Sequence, residues 1–402
     1  IHIKHHIDGN LELYNLLPDD VMVVDILYNG NSFLDKSIIL ASYLDNSLPT
    51  IVNTNLIGVK DYSISVLTDY KGNKRISKNG ISLLSNDIKN PLLHVIKNDF
   101  QGLIKTDSKK YEFKSGQWII ESPLFIEGDL SIPAGVRLKF AEDSYLIIKG
   151  SLNAIGSEDS PIIFEPINKS WKGLYVLEAD NQSFVNYTNI YNTKGLEDGI
   201  LKLTGGVTFY KADVVINDTK INGSLAEDAL NIVESAYEMQ SVFIDGSFSD
   251  GLDSDFSNGT IKESIFSNIG GDATDFSGST ARIVNIEVLN VRDKAVSVGE
   301  ASNVSIFNSE FFDVGVGVVS KDGSRVDVSN TKIDDYKLYA AMSYVKKGYY
   351  SKPQISLLNC DIDEENNAYI RQSGSMMTVN NNQIRESFLN VEDLYKTDVM
   401  KK

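Results

Sequence analysis

The chain has 402 residues, 42% of them hydrophobic, enough to bury a sizeable core in two or three domains or in one elongated repeat domain with a smaller companion. Its 38 Lys and Arg against 55 Asp and Glu leave a net charge of −17, which argues against nucleic acid or an anionic membrane as partner, since both need a basic face. A single cysteine, Cys360, rules out an intrachain disulfide, and the apolar runs are of strand length, too short for a membrane span.

The chain opens at Ile1 with no signal-peptide pattern behind it, as expected of a processed or truncated chain. Over residues 1–115, apolar and polar residues alternate in short runs, as in VMVVDILYNG, PTIVNTNLIGV and YSISVLTDYKGNKRIS. Asn29-Gly30 and Lys71-Gly72-Asn73 fall where hairpins would close such strands, so a small antiparallel, sandwich-like β domain is expected. All four histidines, His2, His5, His6 and His94, lie in this segment. The His5-His6 pair reads as a terminal accident. The rest of the chain then has no imidazole for a Ser-His-Asp relay or a zinc site, and lacks the histidine signature of polygalacturonase-type β-helices.

From Trp118 onward, very short apolar strands are cut by Gly, Asn, Asp and Ser, and amphipathic helical periodicity is hard to find. Ala229, Gly251, Ala273, Ala295 and Gly317, the first four of them directly after an Asp or Lys, are spaced by a constant 22 residues. A large β-sandwich has no reason to keep a constant period. One coil of a right-handed parallel β-helix does. Residues 116–385 are therefore expected to form about twelve such coils, with 386–402 as a C-terminal tail or cap. Equivalent residues then stack about 4.8 Å apart.

The segments EDALN, DGLDSDFSNG, GGDATDFSGS, VRDKAVSVGEASNV and VGVVSKDGSRV, with LSIPAGVRLKF, GSLNAIGSEDSPIIF and SWKGLYV before them, resemble the right-handed β-helix proteins that bacteria carry alongside CotH-type spore-coat kinases and other surface-associated domains. The likeness covers residues 118–360 and is densest over 227–325; the kinase-like domain is not in this chain. More distantly the chain resembles β-helix polysaccharide lyases and hydrolases. The resemblance implies a fold and an extracellular or cell-surface setting. It implies no settled activity, so no catalytic residue is carried over from it.

The 22-residue register converts motifs into columns. One position before the small residue come Asp228, Asp250, Asp272 and Lys294; two positions after it come Asn231, Asp253, Asp275 and Ser297. If the small residue marks a corner, both columns face outward, and Asp255, Glu300, Lys321 and Asp322 extend the acidic strip into a mixed-charge patch. Asp and Asn are ordinary turn residues, and any one of them can be explained that way. A ladder of them is harder to explain, because unit charges ~4.8 Å apart repel by roughly 3.5 kcal/mol at an effective dielectric of about 20. Three compensations are open. Ca²⁺ could bridge Asp253, Asp255 and Asp275, lysines such as Lys294 could cap the ladder, or one carboxyl could hold a proton, as in paired acids that divide acid and base roles.

The leading expectation is an extracellular or cell-surface protein that binds a polysaccharide or surface glycan along residues 228–325, with its cleavage, by a lyase or a glycoside hydrolase, left open. Asp275, Lys294, Glu300 and Lys321 are its catalytic candidates, and Asp253, Asp255 and Asp275 its metal ligands. Lysine serves as proton acceptor only if its pKa is lowered, and neighbouring acids raise it. Lys346 and Lys347, with Tyr344, Tyr349 and Tyr350, form either a sugar-facing edge or a solvated loop. The rival reading is a non-enzymatic adhesin or structural surface or virion module with a metal-stiffened acidic ladder.

Overall fold

A computed structural model describes the chain except for residues 6–9, 16, 18, 29–30, 43–47, 55–63, 71–72, 80–95, 98–99, 200, 364–367 and 401–402. The chain divides into two compact units, Ile1–His94 with Glu197–Lys202, and Val95–Leu196 with Leu203–Lys402.

The first unit holds two small antiparallel sheets. One pairs His2–His5, Asn10–Tyr14 and Thr50–Asn53; the other is built on Val21–Tyr28 and Ile64–Tyr70. Period-two alternation turns Leu11 and Leu13 of one sheet, and Val23, Ile26 and Val66 of the other, into a shared core. Of the residues read as hairpin turns or paired histidines, Asn29, Gly30, Lys71, Gly72 and His6 lie outside the described residues, as does His94.

The second unit is a parallel β-solenoid of about twelve turns, each of about 22 residues. A representative coil contains the strands Asp250–Asp255, Asn258–Lys262 and Ile265–Ile269, each hydrogen-bonded to its counterparts in the coils before and after. Three columns of left-handed residues bend the chain, two of them between strands and the third mostly within strands. Glu234, Phe256, Gly278, Glu300 and Asp322 form one, Ser241, Glu263, Asn285, Asn308 and Asn330 the second, and Gly246, Asn268, Asn290, Asp313 and Asp335 the third. A left-handed residue turns the strand sharply, and Gly and Asn adopt that conformation at least cost.

Each bend takes backbone groups out of the ladder, and small hydroxyl residues replace the lost partners. Directly after the first corner, the amide of Ser235 donates to Ser257 Oγ (3.1 Å), Ser257 to Ser279 (2.9 Å), Ser279 to Ser302 (2.9 Å) and Ser302 to Ser324 (3.1 Å). All five serines are buried, so the ladder satisfies donors that water cannot reach. Inside the coils Leu230, Leu252, Val296 and Val318 stack in register with Thr274 between them, and Phe140 lies on Trp171 with ring centroids 3.9 Å apart.

The stack of Ala229, Gly251, Ala273, Ala295 and Gly317 is present, since Leu230, Leu252, Thr274, Val296 and Val318 pair coil to coil beside it. It does not mark a corner, as the sequence reading had it. Ala229, Gly251, Ala295 and Gly317 lie within strands, where the next coil's backbone leaves no room: a Cβ on Gly251 would stand 2.6 Å from the Ala273 carbonyl oxygen, and one on Gly317 2.4 Å from that of Ala340.

Among the described residues one helix occurs, Val391–Leu394, capped by Asn390, whose side chain accepts the Glu392 amide at 3.1 Å. Leu394 and Met400 complete an apolar cluster with Val316, Val319, Met342 and Tyr344. The C-terminal segment therefore lies against the solenoid's flank.

Candidate active site

The acids singled out by the 22-residue register lie on one stack of strands: Asp228–Val233, Asp250–Asp255, Thr274–Ser277, and the second halves of Glu287–Gly299 and Glu310–Lys321. Asp228 is paired with Asp250, Asn231 with Asp253, Asp253 with Asp275, and Asp275 with Ser297. The two columns have different surroundings.

The first column was expected to face outward and does not. Asp228 and Asp250 are 3% exposed, Asp272 and Lys294 1%. Its carboxylates pass hydrogen bonds from coil to coil: Asp250 Oδ1 accepts the Asp272 amide at 2.8 Å, and Asp272 Oδ1 accepts the Lys294 amide at 3.1 Å. The column ends on the Lys294 ammonium, which donates to Asp272 Oδ1 at 2.9 Å and to Asp293 Oδ2 at 2.7 Å. Burial alone would lower the lysine's pKa, but the Asp272 and Asp293 carboxylates outweigh it and hold the ammonium well above its usual value. Burial, together with the Asp272 charge, pushes Asp293 up to about 7 against the pull of Lys294.

Three residues along the same strands, Asp253, Asp255 and Asp275 are half-buried. Burial pushes the Asp253 carboxyl well above the ordinary range, reinforced by Asp255 and then Asp275; burial and the Asp275 charge push Asp255 up to about 6. Lys321 Nζ donates to Ser297 Oγ at 2.9 Å and lies 3.6 Å from Asp275 Oδ1. Burial would lower the Lys321 pKa too, but Asp275 reverses the shift. Asp275 Oδ1 accepts no hydrogen bond.

Glu300 pairs with Lys347, and its hydrogen bonds from Lys347 and Ser277 hold it below its usual pKa despite burial. Asp322 fastens the following loop by accepting the amides of Lys346 (2.6 Å) and Lys347 (2.7 Å) on Oδ1. The Lys346–Tyr350 stretch is thus an anchored loop. Lys346 Nζ sits 4.2 Å from the Tyr395 ring centre, Tyr395 shares a 2.8 Å hydroxyl contact with buried Tyr344, and the Tyr349 and Tyr350 rings lie 4.8 Å apart.

One group of three carboxylates brings an oxygen from each residue within 4.8 Å of the others and could hold a metal ion: Asp250, Asp272 and Asp275. It shares only Asp275 with the ligand set read from the sequence. The Lys294 ammonium already lies against Asp272 in this group. Two contributors escaped the sequence reading. Asp293 falls outside the columns because it precedes Lys294 in the position where the earlier coil has Gly271, and Tyr395 arrives from the far end of the chain.

No protein-family model matches the chain, and no curated protein does. Among solved structures it is similar to the alginate lyase of Paenibacillus sp. str. FPU-7 (11% identity, 64% of this chain and 91% of that one, TM-score 0.37). It is also similar to a double mutant of the periplasmic alginate epimerase AlgG (11%, 72% and 81%, TM-score 0.45) and to the Agl-KA catalytic domain (10%, 94% and 91%, TM-score 0.38).

Proposed function

We propose that the half-buried acid column is the active site of a glycoside hydrolase acting on a polysaccharide. The observation that carries this reading is the juxtaposition, on adjoining coils, of carboxyls whose pKa is raised, Asp253 and Asp255, with the half-buried Asp275, which pairs with Lys321. A carboxyl that keeps its proton near neutrality can protonate a leaving glycosidic oxygen, and a carboxylate beside it can take the proton of an attacking water. Asp253 or Asp255 supplies the acid and Asp275 the base. Lys321 holds Asp275 in place, and Glu300 positions Lys347 at the rim.

Elimination, the lyase alternative, can use a lysine as base only in its neutral form. Lys294 and Lys321, the lysines available for that role, are both held charged by the acids they touch. An extracellular or surface setting follows from a polysaccharide substrate. Ca²⁺ suits the oxygen donors of Asp250, Asp272 and Asp275, where it would compete with the Lys294 ammonium for Asp272. Melting curves in chelator and in millimolar Ca²⁺ separate if the ion binds there and coincide if lysine alone balances the acids.

The test is product chemistry on a panel of neutral and acidic polysaccharides. Hydrolysis releases reducing ends without ultraviolet-absorbing unsaturated ends; unsaturated product from any substrate would contradict it. The adhesin reading draws on the buried Asp272–Lys294–Asp293 group, which needs no substrate to explain it. It predicts binding without product.

A further inference from the structure

The corner that follows the acid-bearing strands carries one left-handed residue per coil, and Phe256 stands out among them. Its neighbours in the column are Glu234, Gly278, Glu300 and Asp322, and among the described residues the other aromatic at positive φ is Tyr187, at 44° and less exposed. Phe256 has φ of 50° and is 65% exposed. Single exposed apolar side chains are ordinary, but an aromatic residue held at positive φ is not, and such outliers gather at functional sites.

The ring is also seated. A Cβ added to Gly278 would stand 2.6 Å from Phe256 Cδ1 and 2.8 Å from Cε1, so the ring rests on bare backbone of the next coil while most of the residue stays open to solvent. Asp255 directly precedes it. A supported, exposed ring beside a carboxyl offers the apolar C–H face of a sugar ring a flat surface and its hydroxyls an acceptor.

Charge narrows the sugar. Lys294 is engaged by Asp272 and Asp293, Lys321 by Ser297 and Asp275, Lys347 by Glu300, and Lys346 stands over the Tyr395 ring, so each cation near these acids already has a partner. The half-buried Asp255 carboxyl beside the ring, in contrast, suits hydroxyl donors and repels a second carboxylate. We propose that Phe256 is the stacking platform of a subsite for a neutral pyranose unit, on a glycan that runs along the solenoid axis past Asp255 and Glu300, and that uronate-containing chains are excluded.

This rests on the polysaccharide reading above, but it is tested by binding rather than by product. Affinity electrophoresis in the cold, with neutral glucans, mannans, xylans and galactans and with polygalacturonate and alginate in the gel, is run on wild type, Phe256→Asn and Phe256→Trp. Wild type should be retarded by at least one neutral polymer and by neither uronate. Phe256→Asn should lose about tenfold in affinity, the size of one good ring contact, and Phe256→Trp should keep most of it. Asparagine is at ease at positive φ, so the Asn variant should melt no lower than wild type, which removes misfolding as an explanation. Retardation of Phe256→Asn equal to wild type, retardation by the uronates, or no retardation by any neutral polymer overturns the proposal. Phe256-dependent binding without product would leave the subsite standing and the hydrolase reading not; product formation indifferent to Phe256 would do the reverse.

Discussion

Two columns of acids, three residues apart on the same strands, share one ladder and one repeat but differ in how their charge is met. The Asp228–Asp250–Asp272 column is buried, hydrogen-bonded to backbone amides one coil on, and terminated by Lys294. The Asp253–Asp275 column with Asp255 is half-buried, the Asp253 and Asp255 carboxyls are raised in pKa, and Asp275 pairs with Lys321. The first is what acids look like when they hold coils together. The second keeps the protons that a reaction uses.

Removing the cation from the buried column should have the largest effect on stability. Lys294→Ala leaves Asp272 and Asp293 facing each other without a counter-charge, an expected loss of about 3–5 kcal/mol by denaturant melting, and adding Asp272→Asn and Asp293→Asn should recover much of it. A loss under about 1 kcal/mol would break the contrast between the columns.

Ser279→Ala tests the scaffold away from charge. It orphans the buried Ser257 amide, which donates to Ser279 Oγ at 2.9 Å, for an expected cost of about 1–3 kcal/mol.

The raised carboxyls give a pH dependence of definite sign. Asp255 at about 6 and Asp293 at about 7 bind protons more tightly folded than unfolded, so below the unfolded value near 4 they cost nothing, and stability falls as pH rises through their folded values. The Tm should drop by a few degrees from pH 5 to pH 8, and the Asp255→Asn, Asp293→Asn double variant should flatten the trend. A Tm that rises across this window would contradict the assignment. The smallest effect is that of Asp255→Asn alone at pH 8, a gain of about 1 kcal/mol or less as repulsion with Asp275 is relieved.

The solenoid and its 22-residue stacking were legible because each coil repeats one backbone environment, so the same position keeps asking for a small residue or an acid. Exposure was not legible. Whether a strand face is covered depends on residues 391–400 packing from the far end of the chain. Local likeness also misleads here. The triplet Asp-Phe-Ser occurs at Asp255–Ser257 and again at Asp275–Ser277, twenty residues later rather than 22. That offset of two places Phe276 opposite Ser254 in the core and Phe256 at an exposed corner in line with Gly278.

The contrast between the columns is tested most directly by making Asp272→Asn and Asp275→Asn side by side, and measuring melting and reducing-end release for each on whichever polysaccharide the wild type cleaves. Asp275→Asn should lose at least about a hundredfold in turnover and cost less stability than Asp272→Asn, because its partner Lys321 keeps the Ser297 hydroxyl, whereas Asp272→Asn should lower stability by about 3 kcal/mol through its partner Lys294. Asp275→Asn with near-normal turnover, or a wild type that releases nothing from any polysaccharide, would contradict the assignment of the half-buried column as the working one.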